Sequence, residues 1–406
     1  MAILNEGGGS TLYAELLSNI RQISVAATLP SPPTSDTVAR ITEDGRQLRL
    51  EHDGLTSTLH LPAVVAKTSL RPACGASRHL TWRLPLSSVG GVTPPFSPEN
   101  QAVPWAAFDL ENGSAVRCRT CSSVIVPSGT LRVWKDLPSE NWAEMMEFWH
   151  CHKPHDHDQQ DNGNLANKGY GANNAISAQP GVGLVDITSF MFDERDCHNL
   201  SFSVSGFAEA SNSSSKAVEG SKPGKYLGIF CNHCAAEIGL FSTIAGSVTL
   251  FKWRVSCTTT PPTSRAPTGP ECLAAALTAN ISRSGCAKSL IMPHVSDEGP
   301  EPRKMLYLWV LNPNVVYSSS IVGGKRSAMK ILFREVLQEE GNRLLDSVVS
   351  DVQDLYFSAA TIDLARESLA MNSRLLPETE RSFKEWQVGL LDRWEASNNE
   401  HQRSGG

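Results

Sequence analysis

Short apolar or alternating runs, broken by Gly, Pro, Asp and Ser, fill most of the chain before residue 257, which is the pattern of β-strands. Residues 37–41, 47–52, 57–65 and 79–84 are predicted strands, with Asp44-Gly45 and Asp53-Gly54 as hairpin turns. Residues 114–126 and 130–134 flank a Pro-Ser-Gly turn and extend the series. Residues 183–192, 200–204, 226–230 and 247–256 continue it. Residues 159–180, rich in Gly and Asn, and 211–225 carry no period and are read as loops.

The period changes at residues 138–158, PSENWAEMMEFWHCHKPHDHD. Trp142, Met145, Met146 and Trp149 recur at i, i+3, i+4 and i+7, one face of an amphipathic helix. Ser139 or Asn141 caps its start, Glu144 completes a capping box with Asn141, and Pro154 stops the chain from extending it. Cys151 then sits between His150 and His152, with His155 and His157 close behind. A thiol beside imidazoles is a candidate for thiolate chemistry or metal affinity. The same pattern also fits a packed Trp/Met stripe followed by a solvated loop end.

Residues 258–270 are rich in Thr and Pro and mark a boundary between lobes. Beyond them 271–279 is predicted helical and 304–311 a buried strand, while 328–336 fits a strand or a short helix. Ile362, Ala365 and Leu369 share one helix face, and Leu375-Leu376-Pro377 breaks that helix. Phe383, Trp386, Leu390 and Trp394 space a second one. Two such helices either close the C-terminal lobe or offer a groove to a partner. The expected fold class is α+β: a β-rich lobe over 1–257, a connector over 258–270, and a mixed lobe over 271–406 ending in two amphipathic helices.

A chain of 406 residues is long for one core, and 40% hydrophobic with 19% charged residues describes a globular protein. Its net charge of -6 argues against a general nucleic-acid binder. No apolar run reaches the length of a membrane span, and the start lacks a basic region followed by an apolar one. Ten cysteines over this length are not a disulfide framework, so a reducing compartment, cytoplasm or nucleus, is expected.

Two C-x-x-C pairs stand out among them, Cys118-Arg-Thr-Cys121 and Cys231-Asn-His-Cys234, each in or beside a predicted strand. Each pair supplies two ligands from one turn, and two such turns brought together form a closed tetrahedral zinc site that staples the β-rich lobe. His233 competes as a ligand but ranks below the cysteines. A redox pair would call for a βαβ pattern, which neither C-x-x-C has, and separately buried thiols are the remaining reading. No Walker loop, G-x-G-x-x-G, G-x-S-x-G or H-E-x-x-H motif occurs.

The Trp142–His152 run with its W-x-E-x-x-E-x-W-x-C-H spacing, the CRTC and CNHC pairs, and LLPETERSFKEWQVGLL at 375–391 together resemble the ubiquitin-conjugating-enzyme E2-binding proteins, also called HECT-like E3 ubiquitin ligases. The resemblance spans about residues 80 to 391. It implies an E2 ubiquitin-conjugating enzyme and ubiquitin as partners, and transfer of ubiquitin to a substrate or to the protein itself. It also implies a link to an mRNA 3′-end processing subunit, with Trp142, Trp149, Cys151 and His152 as the partner-binding motif.

True HECT ligases carry ubiquitin as a thioester on a cysteine near the C-terminus. Here the last cysteine is Cys286, and 361–406 contains none. Cys151, with His152 beside it, is therefore the candidate acceptor, ahead of Cys197, which has only His198 as a neighbour. Two functions stay open: a ligase that accepts ubiquitin from a conjugating enzyme, and a non-catalytic regulator that docks its Trp/Cys-His motif on a partner.

Overall fold

A computed structural model describes residues 9–66, 70, 77–87, 102–137, 178–203, 226–243, 245–260, 265–294, 304–347 and 351–395. In chain order they form β1 (Thr11–Leu17), β2 (Gln22–Thr28), β3 (Val38–Ile41), β4 (Gln47–His52), β5 (Leu55–His60) and β6 (His79–Pro85). Next come β7 (Val116–Cys118), β8 (Val124–Val126), β9 (Val133–Asp136), β10 (Val182–Val185), β11 (Ser189–Asp193) and β12 (Leu200–Phe202). The chain continues through β13 (Tyr226–Cys231), β14 (Glu237–Ser242), β15 (Ser247–Phe251), β16 (Val255–Ser256) and helix α1 (Gly269–Ser284). The last elements are β17 (Lys288–Pro293), β18 (Lys304–Ser319), β19 (Lys325–Leu337), α2 (Gln338–Asp346), β20 (Val352–Phe357), α3 (Ala359–Ser373), β21 (Ser382–Phe383) and β22 (Trp386–Asp392).

The described residues divide between two compact units that are not consecutive lobes. One lies within Met1–Gln101, Leu277–Pro293 and Glu298–Glu395, the other within Ala102–Ala276 and His294–Asp297. The division falls inside α1 rather than at the Thr/Pro-rich stretch 258–270.

In the first unit the sheet runs β21-β22-β19-β18-β1-β2-β6, with β17 also paired to β18 and β20 parallel to β17. Pairing of β1 with β18, Tyr13 opposite Ser319, joins the start of the chain to a strand some three hundred residues later in sequence. Leu12, Ala14 and Leu16 of β1 pack in one apolar cluster with β2 and the separate sheet β3-β4-β5. Tyr13 belongs to a second cluster with Tyr317, Leu332 and Trp386. A strand buried on both faces shows no polar alternation, so β1 gives no period-two signal. β18 continues past Pro313 by register shifts between Val310 and Val315, which absorb the residue that lacks an N–H.

The second unit holds a sheet ordered β12-β13-β14-β15-β11-β10-β9 and a small one ordered β16-β7-β8. Trp134 of β9 tilts onto Phe190 of β11 at 5.2 Å and Phe192 at 5.8 Å, and Trp105 stacks on Phe190. Lys252 is fully buried there; its ammonium donates to the carbonyls of Pro104 at 2.6 Å and Ile187 at 3.2 Å. Those bonds compensate the cost of burying a charge.

The α+β class holds, with three α-helices among the described residues, but the second tail helix does not form. The helix over 362–369 is α3, with Ile362, Ala365 and Leu369 buried and its end just before Leu375 and Leu376. In place of the second helix stands the hairpin β21-β22, turned at Lys384 in the left-handed region, with β22 added to the edge of β19. Trp386 and Leu390 fit both a helical spacing and a period of two, Val388 fits only the latter, and hydrogen bonding to β19 selects the strand. Phe383 is consequently 53% exposed instead of facing a core. Residues 328–336 are strand, within β19, and the predicted helix 271–279 is part of α1. The predicted Trp/Cys-His helix over 138–158 lies outside the described residues.

Candidate metal centre

Both C-x-x-C pairs begin at the last residue of a strand, Cys118 in β7 and Cys231 in β13. Both chains then turn in the same way. Ser122, at φ 62°, donates its N–H to the Cys118 carbonyl at 2.8 Å, and Cys118 donates to the Ser123 carbonyl at 2.8 Å. Ala235, at φ 56°, donates to the Cys231 carbonyl at 2.8 Å, and Cys231 donates to the Ala236 carbonyl at 2.9 Å. The left-handed residue reverses the chain after each second cysteine, so both thiols of a pair point the same way. The two turns are one motif used twice.

A third segment holds the turns together. Asn199, left-handed at φ 57°, donates its side-chain amide to the Val124 carbonyl at 2.8 Å. Its own carbonyl accepts the N–H of Asn232, at 2.8 Å, inside the second turn. His198 donates to the Ile125 carbonyl at 2.7 Å, and Leu200 pairs with Cys231. Arg119, within the first turn, donates to the carbonyls of Trp253 at 3.2 Å and Pro267 at 2.7 Å. None of these anchors carries a motif; Asn is only one of the residues that tolerate the left-handed region.

The outcome is four sulfurs in a cluster, all within 4.8 Å of one another. Cys118 Sγ lies 3.7 Å from Cys234 Sγ, 116 residues away, and Cys121 Sγ lies 3.6 Å from Cys231 Sγ. These are far too long for disulfides, and the cysteines are free. A tetrahedron with metal–sulfur bonds of about 2.3 Å has edges of about 3.8 Å, so the observed spacings suit a tetrahedral ion. His233 is exposed and outside the cluster.

Backbone N–H groups aimed at sulfur favour thiolates. For Cys231, burial works against ionisation, but the N–H groups of Cys234 and His233 with the thiols of Cys121 and Cys234 outweigh it and bring the group down to about 7. The N–H of Ser123 pulls Cys121 down, yet burial and the thiols of Cys234, Cys231 and Cys118 hold it at about 12. Burial chiefly raises Cys118, against the N–H groups of Cys121 and Thr120. A cluster in which only part of the set ionises readily without a cation is one that a divalent ion completes.

Three of the four remaining described cysteines are poor nucleophiles. Burial, reinforced by Asp196, Asp193 and Glu194, pushes Cys197 up to about 12, so His198 beside it in sequence does not activate it. Cys257 and Cys272 are held at about 12 by burial, against the nearby charge of Lys252. Cys286 donates to the Lys288 carbonyl at 3.3 Å and also contacts the Asp351 carbonyl. Trp142, Trp149, Cys151 and His152 lie outside the described residues.

The chain belongs to the HECT-like ubiquitin-conjugating enzyme (E2)-binding family, whose model matches residues 15–388. A Saccharomyces cerevisiae protein described as uncharacterized is 22% identical over 289 residues, 70% of this chain and 71% of its own length. An uncharacterized Schizosaccharomyces pombe protein is 45% identical over 54 residues, 12% of this chain and 15% of its own. No solved structure matches the chain.

Proposed function

We propose that the protein binds a charged E2 ubiquitin-conjugating enzyme and promotes transfer of its ubiquitin. Membership of the E2-binding family gives it a role in the ubiquitin pathway. One observation supports the finer reading: among the described cysteines, four gather in the cluster and three of the rest are thiols that desolvation holds at about 12. The tail 361–406 has no cysteine at all. Covalent acceptance of ubiquitin is assigned to Cys151, with His152 as its base, because imidazoles flank that thiol in the sequence. If Cys151 does not react, the protein acts by holding the conjugating enzyme so that ubiquitin passes directly to the acceptor amine.

Cys118, Cys121, Cys231 and Cys234 would hold zinc. A four-thiolate zinc has no open position and supplies folding free energy rather than chemistry. Its part in this reading is to fix β7, β13 and the segment at Asn199 as one rigid body.

The second reading is a regulator that offers Trp142, Trp149, Cys151 and His152 to a partner such as an mRNA 3′-end processing subunit. This reading needs no acceptor thiol, and the HECT-like tail 361–406 has none. Either reading places the protein in cytoplasm and nucleus. The deciding experiment mixes the full chain with a ubiquitin-charged conjugating enzyme and looks for a thiol-reducible adduct. An adduct lost in Cys151→Ala establishes the acceptor. Discharge without an adduct, unchanged in Cys151→Ala, establishes the holding mode. Neither adduct nor discharge leaves the regulator.

A further inference from the structure

Between β2 and β3 the chain runs Leu29-Pro-Ser-Pro-Pro-Thr-Ser-Asp-Thr37. Both ends of this loop are fixed. Leu29 is buried and donates its N–H to the Arg78 carbonyl at 2.9 Å; Thr37 is buried and donates to the Thr34 carbonyl at 3.1 Å. Among the described residues, no backbone–backbone hydrogen bond uses residues 30–33. Prolines at 30, 32 and 33 keep that stretch extended and strip it of donors. Its polar tie to the rest of the molecule is one side chain: the Ser31 hydroxyl donates to Asp53 Oδ2 at 2.8 Å and stands 3.0 Å from His52 Nε2.

His52 and Asp53 lie where β4 turns into β5, with Asp53 left-handed at φ 48°. A serine, a histidine and an aspartate meet here as in a hydrolytic triad, but the hydrogen bonds run the other way. Asp53 Oδ2 is 3.2 Å from His52 Nε2, and a carboxylate only accepts, so that nitrogen carries the ring proton. Nδ1 faces the Thr37 hydroxyl at 2.9 Å rather than a carboxylate. Nε2 therefore has no lone pair for Ser31, and the hydroxyl is a tether, not a nucleophile. Ser31 is half-buried, while Pro30, Pro32, Thr34 and Ser35 around it are exposed. A hydroxyl on such an extended, unpaired backbone, followed by a residue with no N–H, suits a kinase groove that takes its substrate as an extended chain and leaves the next amide position empty.

We propose that Ser31 is a phosphorylation site for a proline-directed Ser/Thr kinase, and that a phosphate there releases the loop from the β4–β5 turn. In the transfer the γ-phosphorus of ATP bonds to Ser31 Oγ and its bond to the bridging β-phosphate oxygen breaks. ADP leaves, and the hydroxyl proton passes to the kinase's catalytic carboxylate. Ser31 then has no proton to donate to Asp53, and a dianion stands beside that carboxylate. His52 cannot pair with both, since its one Nε2–H already faces Asp53. Asp53 is fixed at its backbone by the turn that pairs His52 with Leu55, so like-charge repulsion moves the loop. The Ser31–Asp53 bond lies at the surface, and local opening of the loop presents the hydroxyl to the kinase. The inference is independent of whether Cys151 accepts ubiquitin.

The test treats the full folded chain with a proline-directed Ser/Thr kinase and magnesium ATP, and maps phosphate by tandem mass spectrometry. Phosphate at Ser31 is expected, absent in Ser31→Ala and formed about tenfold or more slowly in Pro32→Ala. Hydrogen exchange then reads the release. The N–H groups of Thr34, bonded to the Thr37 hydroxyl, and of Thr37 should exchange about tenfold faster after phosphorylation. They should also exchange faster than in Ser31→Ala, which loses the tether without gaining charge. Asp53→Asn, tolerated at a left-handed position, should bring the phosphorylated protein down to the Ser31→Ala rate. The kinase is checked on a standard Ser-Pro peptide. Absence of phosphate from Ser31 of the folded chain under those conditions overturns the site. Exchange in the phosphorylated protein no faster than in Ser31→Ala, or unaltered by Asp53→Asn, overturns the release.

Discussion

Gly389 of β22 lies directly under the carbonyl of Leu369 in α3: a β-carbon at Gly389 would stand 2.5 Å from that oxygen. The helix can therefore lie on the strand only because position 389 has no side chain. The α3–β22 contact buries Leu369 and Leu390 together, and Asn372 adds a bond from its side-chain amide to the Leu390 carbonyl at 2.9 Å.

Gly389→Ala should push α3 off β22 and cost about 1–3 kcal/mol, the usual penalty of overpacking. Gly323→Ala, where nothing lies within 4 Å of the new methyl, should stay within about 0.5 kcal/mol of the parent. Urea unfolding of the two variants side by side checks the relationship; equal midpoints would mean that the helix sits elsewhere.

The hairpin tail makes a second prediction that a helical tail would not. Trp386 is buried 4.8 Å from Tyr307 and under Arg334 at 5.1 Å, so Trp386→Ala should cost roughly 3–5 kcal/mol. Phe383, its cross-strand partner, is exposed, and Phe383→Ala should cost little. On a helix the two residues would share one face and both substitutions would be costly. Thermal melts of the two variants separate the cases.

Purified protein should contain one zinc per chain, measured by elemental analysis. Cys118→Ser or Cys231→Ser should release it and lower the Tm of the second unit, since structural zinc is folding free energy. Asn199→Ala keeps all four ligands but removes the bond to Val124, and chelator competition should show faster metal loss. Metal-free wild-type protein with an unchanged Tm would rule the site out.

Burial lowers His294, stacked on Phe251 at 5.5 Å, from 6.5 to about 4. Its folded pKa lies below its unfolded value, so the unfolded chain takes up a proton first as pH falls. The stability tied to neutral His294 is complete above pH 6.5 and is lost between 6.5 and about 4. His294→Phe keeps an aromatic ring on Phe251 and should flatten the pH dependence of unfolding across that window. Parallel curves for the two proteins would show that His294 does not titrate as described.

Cys151→Ala should leave thermal stability unchanged and abolish ubiquitin or partner capture, whereas Trp142→Ala should lower stability by loosening the helix that the spacing of Trp142, Met145, Met146 and Trp149 predicts. An early melt of Cys151→Ala would make the cysteine part of a core.

Local sequence was enough where the determining contacts are local. Alternation and Asp-Gly turns place β4 and β6 nearly residue for residue, and the C-x-x-C spacing alone selects the four cysteines that cluster. The periodicity of Ile362, Ala365 and Leu369 likewise finds α3 and the face it buries. Tertiary structure decided the rest. β1 is buried on both faces, so it has no alternation to read, and its partner β18 is distant in sequence. Trp386 and Leu390 satisfy two periods at once, and only the edge of β19 makes them part of a strand. Asn199 bonds to Val124 of β8, just after the first cysteine turn, and to Asn232 within the second, a juxtaposition that no spacing within either turn encodes. The sequence names the four cysteines; hydrogen bonds between distant strands bring them close enough to hold one ion.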